Sequence, residues 1–496
     1  MLTEVVELKK EVNTLKVKVD NYEEEVKRLK NIIKLFNKNK FGSKSEIYEE
    51  NPQLIFDEIE VEGKDEQLPT LQETISYTHR KKGRGKKKPF PEGLPREDKV
   101  IDIPEDQKTC PHDGTKLKLI GEDIVEKLKT VPAQSSVIVE RKQKYACPCC
   151  EAYLVQGKTN PILPKTIATP EILSFLIFSK FFQGLPLYRL EELYKLQGIN
   201  LSRGTMARWL IQVSEKLIPV WNVLEERVLN SGYMGIDATK LQVLKERGRA
   251  PQDKSFMWVR GSPEQGIVLF DYNISGGGEV AKQLTTGFTG GVQADAHRGY
   301  SALDKKEVEL LGCMMHARRR FYSAWIKANK KAGLSEIGLK MIKRLYKYER
   351  AYKERGLTND QRHEARQKEV KPYMEKIKKW CEKKQPSVLK TSDVGNAINY
   401  FITEYDELSG FLKSGRYEID NGWVERMIRK FAIGRNSWMF SDTVEGAHAS
   451  SILYSFAITA KANDKDPFKA MTEVFERIPL AKTIDDYESI ADILTK

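Results

Sequence analysis

Long hydrophobic runs are missing from this 496-residue chain. The densest apolar stretch, residues 172–182, is interrupted by Lys180 and is too short to cross a bilayer, which excludes a helical membrane protein. Cysteine is scarce, and six cannot knit a chain of this length into a disulfide framework. Three of them crowd at Cys147, Cys149 and Cys150, which in a reducing compartment suggests a metal or a buried cluster. Near the start, acidic and basic residues come early and no apolar signal core is seen, so a cytoplasmic location is expected. A large charge imbalance is also lacking. The 83 Lys plus Arg against 70 Asp plus Glu leave +13, a hint of a polyanionic partner and no more. What is present, 40% hydrophobic and 31% charged residues, excludes wholesale disorder. At roughly 150 residues per domain it predicts about three domains.

Residues Val5, Val12, Val19, Val26 and Ile33 repeat every seven, and Leu8, Leu15, Tyr22, Leu29 and Phe36 follow three positions later. β-Branched residues at the first position and mostly Leu at the second predict a parallel α-helical coiled coil over 1–40, hence a dimer or higher oligomer. The alternative, one amphipathic helix folded back on the chain's own core, needs no such strict period. Residues 41–100 read as a linker with a basic arm: Arg80, Lys81, Lys82, Arg84, Lys86, Lys87 and Lys88, spaced by Gly83 and Gly85. Such a run either lies along a phosphate backbone or is simply solvated. In 101–160, Cys110 and Asp113 precede Cys147 and Cys150 by about 35 residues and flank a strand-like stretch, 135–140. The pattern resembles a zinc ribbon with Cys110, Asp113, Cys147 and Cys150 as candidate Zn2+ ligands, His112 being the other choice for the imperfect first knuckle. A degenerate module that folds without metal is the alternative.

Residues 161–230 read as helical. Thr169, Pro170 and Glu171 form a helix start, and a second helix over 190–197 ends at Gly198. Ser202 then caps a third over 205–213, which displays Arg203, Arg208 and Trp209. Helix, glycine turn and basic helix fit a helix-turn-helix that reads DNA, and equally a plain αα-hairpin. From residue 232 the pattern changes to strands at 233–243, 256–260 and 266–272, a helix to Leu284 after Gly276, Gly277 and Gly278, then strands at 291–294 and 308–315. That is the element order of an α/β RNase H-like fold. The glycine triplet is taken as a tight connection rather than a phosphate cradle.

Acids sit where such a fold can use them. Asp237 lies midway along the first strand, where a charge is costly unless paired or metal-bound. Asp295 ends the fourth strand, and a later helix offers Glu425 in Asp420-Asn-Gly-Trp-Val-Glu425-Arg-Met-Ile-Arg429. Asn421, Glu425 and Arg429 share a face at i, i+4 spacing. Three carboxylates can hold two hard cations, Mg2+ or Mn2+, for phosphodiester chemistry. Each acid alone also reads as a strand-end cap or a surface charge. Only the ensemble carries weight.

The runs Asp295-Ala-His-Arg-Gly-Tyr300, Cys313-Met-Met-His316-Ala-Arg-Arg-Arg-Phe321, Asp420 to Arg429, and Ile433-Gly-Arg435-Asn-Ser-Trp438 resemble the insertion-sequence transposases of the IS66 family. The resemblance extends to Phe41-Gly-Ser-Lys-Ser-Glu46 and to Lys88-Pro-Phe-Pro-Glu-Gly-Leu-Pro-Arg-Glu97. It implies a catalytic core with an Asp, Asp, Glu triad at Asp237, Asp295 and Glu425. That core would cut double-stranded DNA at the element's ends and join the freed 3′ ends to target DNA. It further implies accessory proteins of the same element, a nucleoid-associated location, phosphate contacts from Arg426, Arg429 and Arg435, and a site role of second rank for His316 and Asn421. Trp438 is expected in the core. The chain departs from the family pattern at Ala238, where an acid usually follows the first aspartate, and at Asp113, where a cysteine is expected. A catalytically silent protein that holds or represses element ends is the rival expectation. The catalytic fold is expected in two parts, 231–325 and 416–470, around a helical insertion at 326–415, with a C-terminal tail at 471–496.

Overall fold

A computed structural model describes residues 135–146, 154–156, 159–295, 300, 302–303 and 306–496. The expected coil, the basic arm and the candidate zinc ligands Cys110, Asp113, Cys147 and Cys150 lie outside the described residues. Residues 135–140 are exposed irregular chain rather than the expected strand. Val137 and Val139 reach solvent, and the first strand, β1 (Lys144–Ala146), pairs antiparallel with β2 (Leu154–Gln156).

Thr169 Oγ1 accepts from the Ile172 N–H at 3.4 Å and starts α1 (Pro170–Ile177), as its residues predict. After α2 (Leu187–Leu196), Gly198 adopts φ 76°, a left-handed conformation that favours glycine and ends the helix region. Ser202 then caps α3 (Arg203–Leu229) by accepting from the Thr205 N–H at 3.2 Å. This helix is far longer than the expected 205–213. Its apolar stripe of Met206, Leu210, Val213, Leu217, Val220, Leu224 and Val228 continues at helical spacing into the main core. Arg203 and Arg208 are exposed at its start, but Trp209 is buried and not displayed, because it falls on the apolar stripe.

The central sheet joins β3 (Tyr233–Lys245), β4 (Lys254–Ser262), β5 (Ile267–Asn273), β6 (Gly290–Ala294) and β7 (Val308–Gly312) in the order β5-β4-β3-β6-β7. The first three are antiparallel, and β6 and β7 run parallel to β3. Helix α4 (Gly278–Leu284) makes the crossover from β5 to β6. Strand β7 stops at Gly312, short of the expected 315. Cys313 is the N-cap of α5 (Met314–Lys327), so His316 lies in a helix's first turn and not at a strand end.

A second apolar core gathers Phe321 of α5 with residues of α6 (Leu334–Glu354), α8 (Lys371–Lys384) and α9 (Asp393–Thr403). Among these helices run the shorter α7 (Asn359–Ala365) and α10 (Tyr405–Leu408). Arg366, wholly buried, donates to Glu349 at 2.7 and 2.9 Å and to the carbonyls of Phe411 and Ser414. Helix α11 (Gly422–Trp438) then returns to the sheet and packs on β3, and β8 (Ser441–Thr443) extends the far end of β3.

Helix α12 (Val444–Ala462) covers the open edge of the sheet. Its Thr459 and Ser455 hydroxyls accept from the outward N–H groups of Val268 and Phe270 on β5, at 3.0 and 2.8 Å. An edge that would otherwise offer free donors is thereby closed. Helices α13 (Pro467–Arg477) and α14 (Ile484–Thr495) bury Met471, Phe475, Ile490 and Leu494 in the same core as the sheet and residues 162–228. Among the described residues no helix is long and apolar enough to cross a membrane.

Candidate active site

Asp237 is the fifth residue of β3, opposite Val259 of β4, at the point where the strand's buried pattern gives way to partly open positions. Its Oδ1 accepts from the Ala238 N–H at 2.7 Å. Burial pushes its carboxyl up to about 7; the carboxylates of Glu425 and Asp295 push the same way, against the Ala238 N–H and the Arg319 guanidinium. Asp295 directly follows β6, the strand that pairs parallel with β3. Tyr300, buried beyond it, is raised by burial and then by Asp237 and Asp295. The fold therefore sets Asp237, Asp295 and Glu425 on adjoining elements, β3, the end of β6 and α11.

Glu425 stands one turn into α11. The N-terminus of that helix is fastened by Asn421, which is buried. Asn421 Nδ2 donates to the carbonyl of Ile236, the neighbour of Asp237, at 2.9 Å, and its N–H donates to Cys313 Sγ at 3.3 Å. Close approach there depends on Gly235, where a Cβ would stand 2.4 Å from Val424 Cγ2 and 2.5 Å from Asn421 Oδ1. Asp420 Oδ1 accepts from the Gly422 N–H at 2.8 Å, and its other oxygen accepts from the Tyr346 hydroxyl of α6 at 2.6 Å. At the helix start Asp420 thus makes the side-chain bond, while Asn421 clamps the strand.

Around Glu425 lie groups whose weight the sequence reading missed. Arg319 Nη2 donates to Glu425 Oε2 at 3.2 Å, and Cys313 Sγ to Oε1 at 3.7 Å. Burial raises the Glu425 carboxyl, and Arg319 opposes it. Burial, then Arg319 and Arg320, lowers His316 to about 4, so its ring is neutral near pH 7. The run of Arg318, Arg319 and Arg320 was visible, but only the helical spacing from Cys313 tells which of them turns toward Glu425.

The expected phosphate contacts divide. Arg426 is exposed and Arg429 half-buried. Arg435 is tied to β3, its Nη1 donating to Thr239 Oγ1 at 2.9 Å and to the Lys240 carbonyl. Trp438 packs on Phe431 at 5.4 Å between centroids, in agreement with a core role.

Three family models match the chain. The one described as "Transposase IS66 family" covers residues 165–449, "zinc-finger binding domain of transposase IS66" covers 107–151, and "Transposase C of IS166 homeodomain" covers 28–98. Among curated proteins, the chain is similar to the uncharacterized protein y4qI of Sinorhizobium fredii. The two are 28% identical over 97% of this chain and 91% of that protein. Uncharacterized protein y4hP of the same organism is also 28% identical, over 81% of this chain and 75% of its own length.

Proposed function

Because this chain belongs to the IS66 family of transposases, we propose that it cuts DNA at the ends of an insertion sequence and joins the 3′ ends to target DNA. The fold we infer for its catalytic part is RNase H-like, in keeping with the strand order β5-β4-β3-β6-β7. Asp237, Asp295 and Glu425 are the acids proposed to hold the divalent cations, Mg2+ or Mn2+. The observation that carries the reading is the placement of these acids on adjoining elements, Asp237 in β3, Asp295 at the end of its neighbour β6 and Glu425 on α11 packed against β3. Two carboxylates act on Asp237 and one guanidinium opposes them, an excess of negative charge on hard oxygen donors that suits such ions.

Bound cations would supply the charge that activates a nucleophile and steadies a leaving oxygen in phosphodiester chemistry. The chain's own residues do the rest. Asn421 and Gly235 hold the start of α11 against β3, so that Glu425 rides on a rigid helix beside the strand of Asp237. Arg319 fixes the Glu425 carboxylate through Oε2. Water is the proposed first nucleophile and the freed 3′-hydroxyl the second. Arg426 and Arg429 are proposed to steady the DNA backbone, and Arg203, Arg208 and the basic arm of residues 80–88 to bind flanking duplex. The zinc-finger match supports Zn2+ near Cys110 and Cys147. Self-association through residues 1–40, and help from other proteins of the element, complete the proposal.

Purified full-length chain, incubated with Mg2+ and labelled element-end duplex, tests it. Cleaved and joined products are expected. Binding without cleavage would instead identify a silent end-holding protein, and nicks without joining a plain nuclease.

A further inference from the structure

Three donors of different chemistry meet beside the acids. Cys313, His316 and Glu425 each present one ligand atom, all within 4.8 Å of one another. Glu425 Oε1 stands 3.7 Å from Cys313 Sγ and 3.7 Å from His316 Nδ1. Donors held at zinc-like bond lengths around a tetrahedral ion lie about 3.4–3.6 Å apart. Both pairs that include Glu425 therefore already stand near ligand spacing, and the third pair lies within 4.8 Å. Their placement follows from the fold: Cys313 caps α5, His316 lies three residues on, and Glu425 arrives from α11.

A second observation points to a ligand. His316 Nδ1 is a buried nitrogen without a hydrogen-bond partner, an arrangement that native structures seldom leave unexplained. On the other side of the ring, Nε2 meets Arg319 Nη1 at 3.3 Å. Since Arg319 can only donate, Nδ1 carries the ring proton. Arg319 also holds the second oxygen of Glu425, the outer contact that orients a ligating carboxylate.

The geometry points to a three-donor site for a thiophilic divalent cation such as Zn2+ or Co2+, formed by Cys313, His316 and Glu425, whose filling withdraws Glu425 from the hard-cation site. Sulfur and nitrogen donors favour such an ion over Mg2+, which prefers oxygen. On binding, the thiol proton of Cys313 leaves to solvent. The ring proton of His316 moves from Nδ1 to Nε2, which opens the Arg319 contact there. The binding site stands on its own geometry, whereas the withdrawal rests on the proposed role of Glu425.

Co2+ titration of the full-length protein, followed by the thiolate-to-cobalt absorption band, tests the site. Any ion held by the cysteines near residue 147 adds to this band, so the readout is the difference between wild type and variants. Cys313→Ser and His316→Gln, each checked for folding by circular dichroism, are expected to bind about one ion at least ~10-fold more weakly, with Mg2+ unable to displace it from wild type. Identical titrations for wild type and both folded variants would overturn the site. A Glu425→Gln protein that still cleaves DNA in Mg2+, while the cobalt difference persists, would overturn the withdrawal and the catalytic role but leave the binding site supported.

Discussion

Asp237 is a carboxylate placed where its charge is opposed from several sides, and that has a measurable consequence. Its folded-state carboxyl, raised to about 7, holds a proton that the unfolded chain releases near the ordinary carboxylate value. The folded state is therefore penalised progressively as pH rises between those two values, and fully above the higher one. Asp237→Asn removes the charge but keeps an oxygen able to accept from the Ala238 N–H. We predict that in EDTA at pH 8 this variant unfolds at higher temperature than wild type, by about 2 kcal/mol of stability, and that the gain vanishes near pH 4. Saturating Mg2+ is expected to shrink it. An unchanged or lowered melting temperature at pH 8 would mean that neither burial nor the neighbouring acids oppose the Asp237 charge. His316 behaves in the opposite sense. Its pKa, depressed to about 4, makes the neutral ring favourable above the ordinary histidine range and costs stability as pH falls from there toward 4.

At the scale of elements, the junction of β3 and α11 decides whether Glu425 reaches its place. Gly235→Ala puts a methyl group 2.4 Å from Val424 Cγ2 and 2.5 Å from Asn421 Oδ1, and neither neighbour is the loose end of a flexible chain. The variant is expected to lose about 1–3 kcal/mol in denaturant unfolding and to cleave DNA more slowly even at temperatures where it remains folded. The strands β3 to β7 were legible because alternation and glycine breaks are local signals. So was the start of α1, where capping hydroxyl, proline and acid stand together. The extent of α3 and the start of α5 were not. Apolar residues such as Leu311, Met314 and Met315 suit either a strand or a buried helix turn, and only packing against α6 and α9 decides. The positions of the acids on β3, after β6 and on α11 were legible because each sat at a recognisable place in the element order. Arg319 and Cys313 were not, since their meaning comes from a helix 106 and 112 residues later in the chain.

Across the whole molecule, the chain interrupts its sheet with a helical body and then returns to it. That body has its own core and a buried ionic knot, in which Glu349 accepts from both Arg362 and Arg366. Removing Arg366 strips one of two guanidiniums from the buried Glu349 carboxylate and leaves the Phe411 and Ser414 carbonyls without that donor, so Arg366→Ala is predicted to cost about 3–5 kcal/mol in urea unfolding. Tyr346 of this body holds Asp420 at the entrance to α11, so the insertion is coupled to the site and is more than an appendage. The heptads of residues 1–40 predict that a peptide of that segment sediments as a dimer or larger species; a monomer at micromolar concentration would remove the basis for self-association through it. The account's central claim, that Asp237, Asp295 and Glu425 act as one metal-holding unit, is tested most directly by single-turnover cleavage of element-end DNA in Mg2+. Asp237→Asn and Glu425→Gln proteins, with duplex binding verified, are predicted each to cleave at least ~1,000-fold more slowly than wild type, and the double variant no more slowly than either alone. Cleavage by both single variants at the wild-type rate would contradict it.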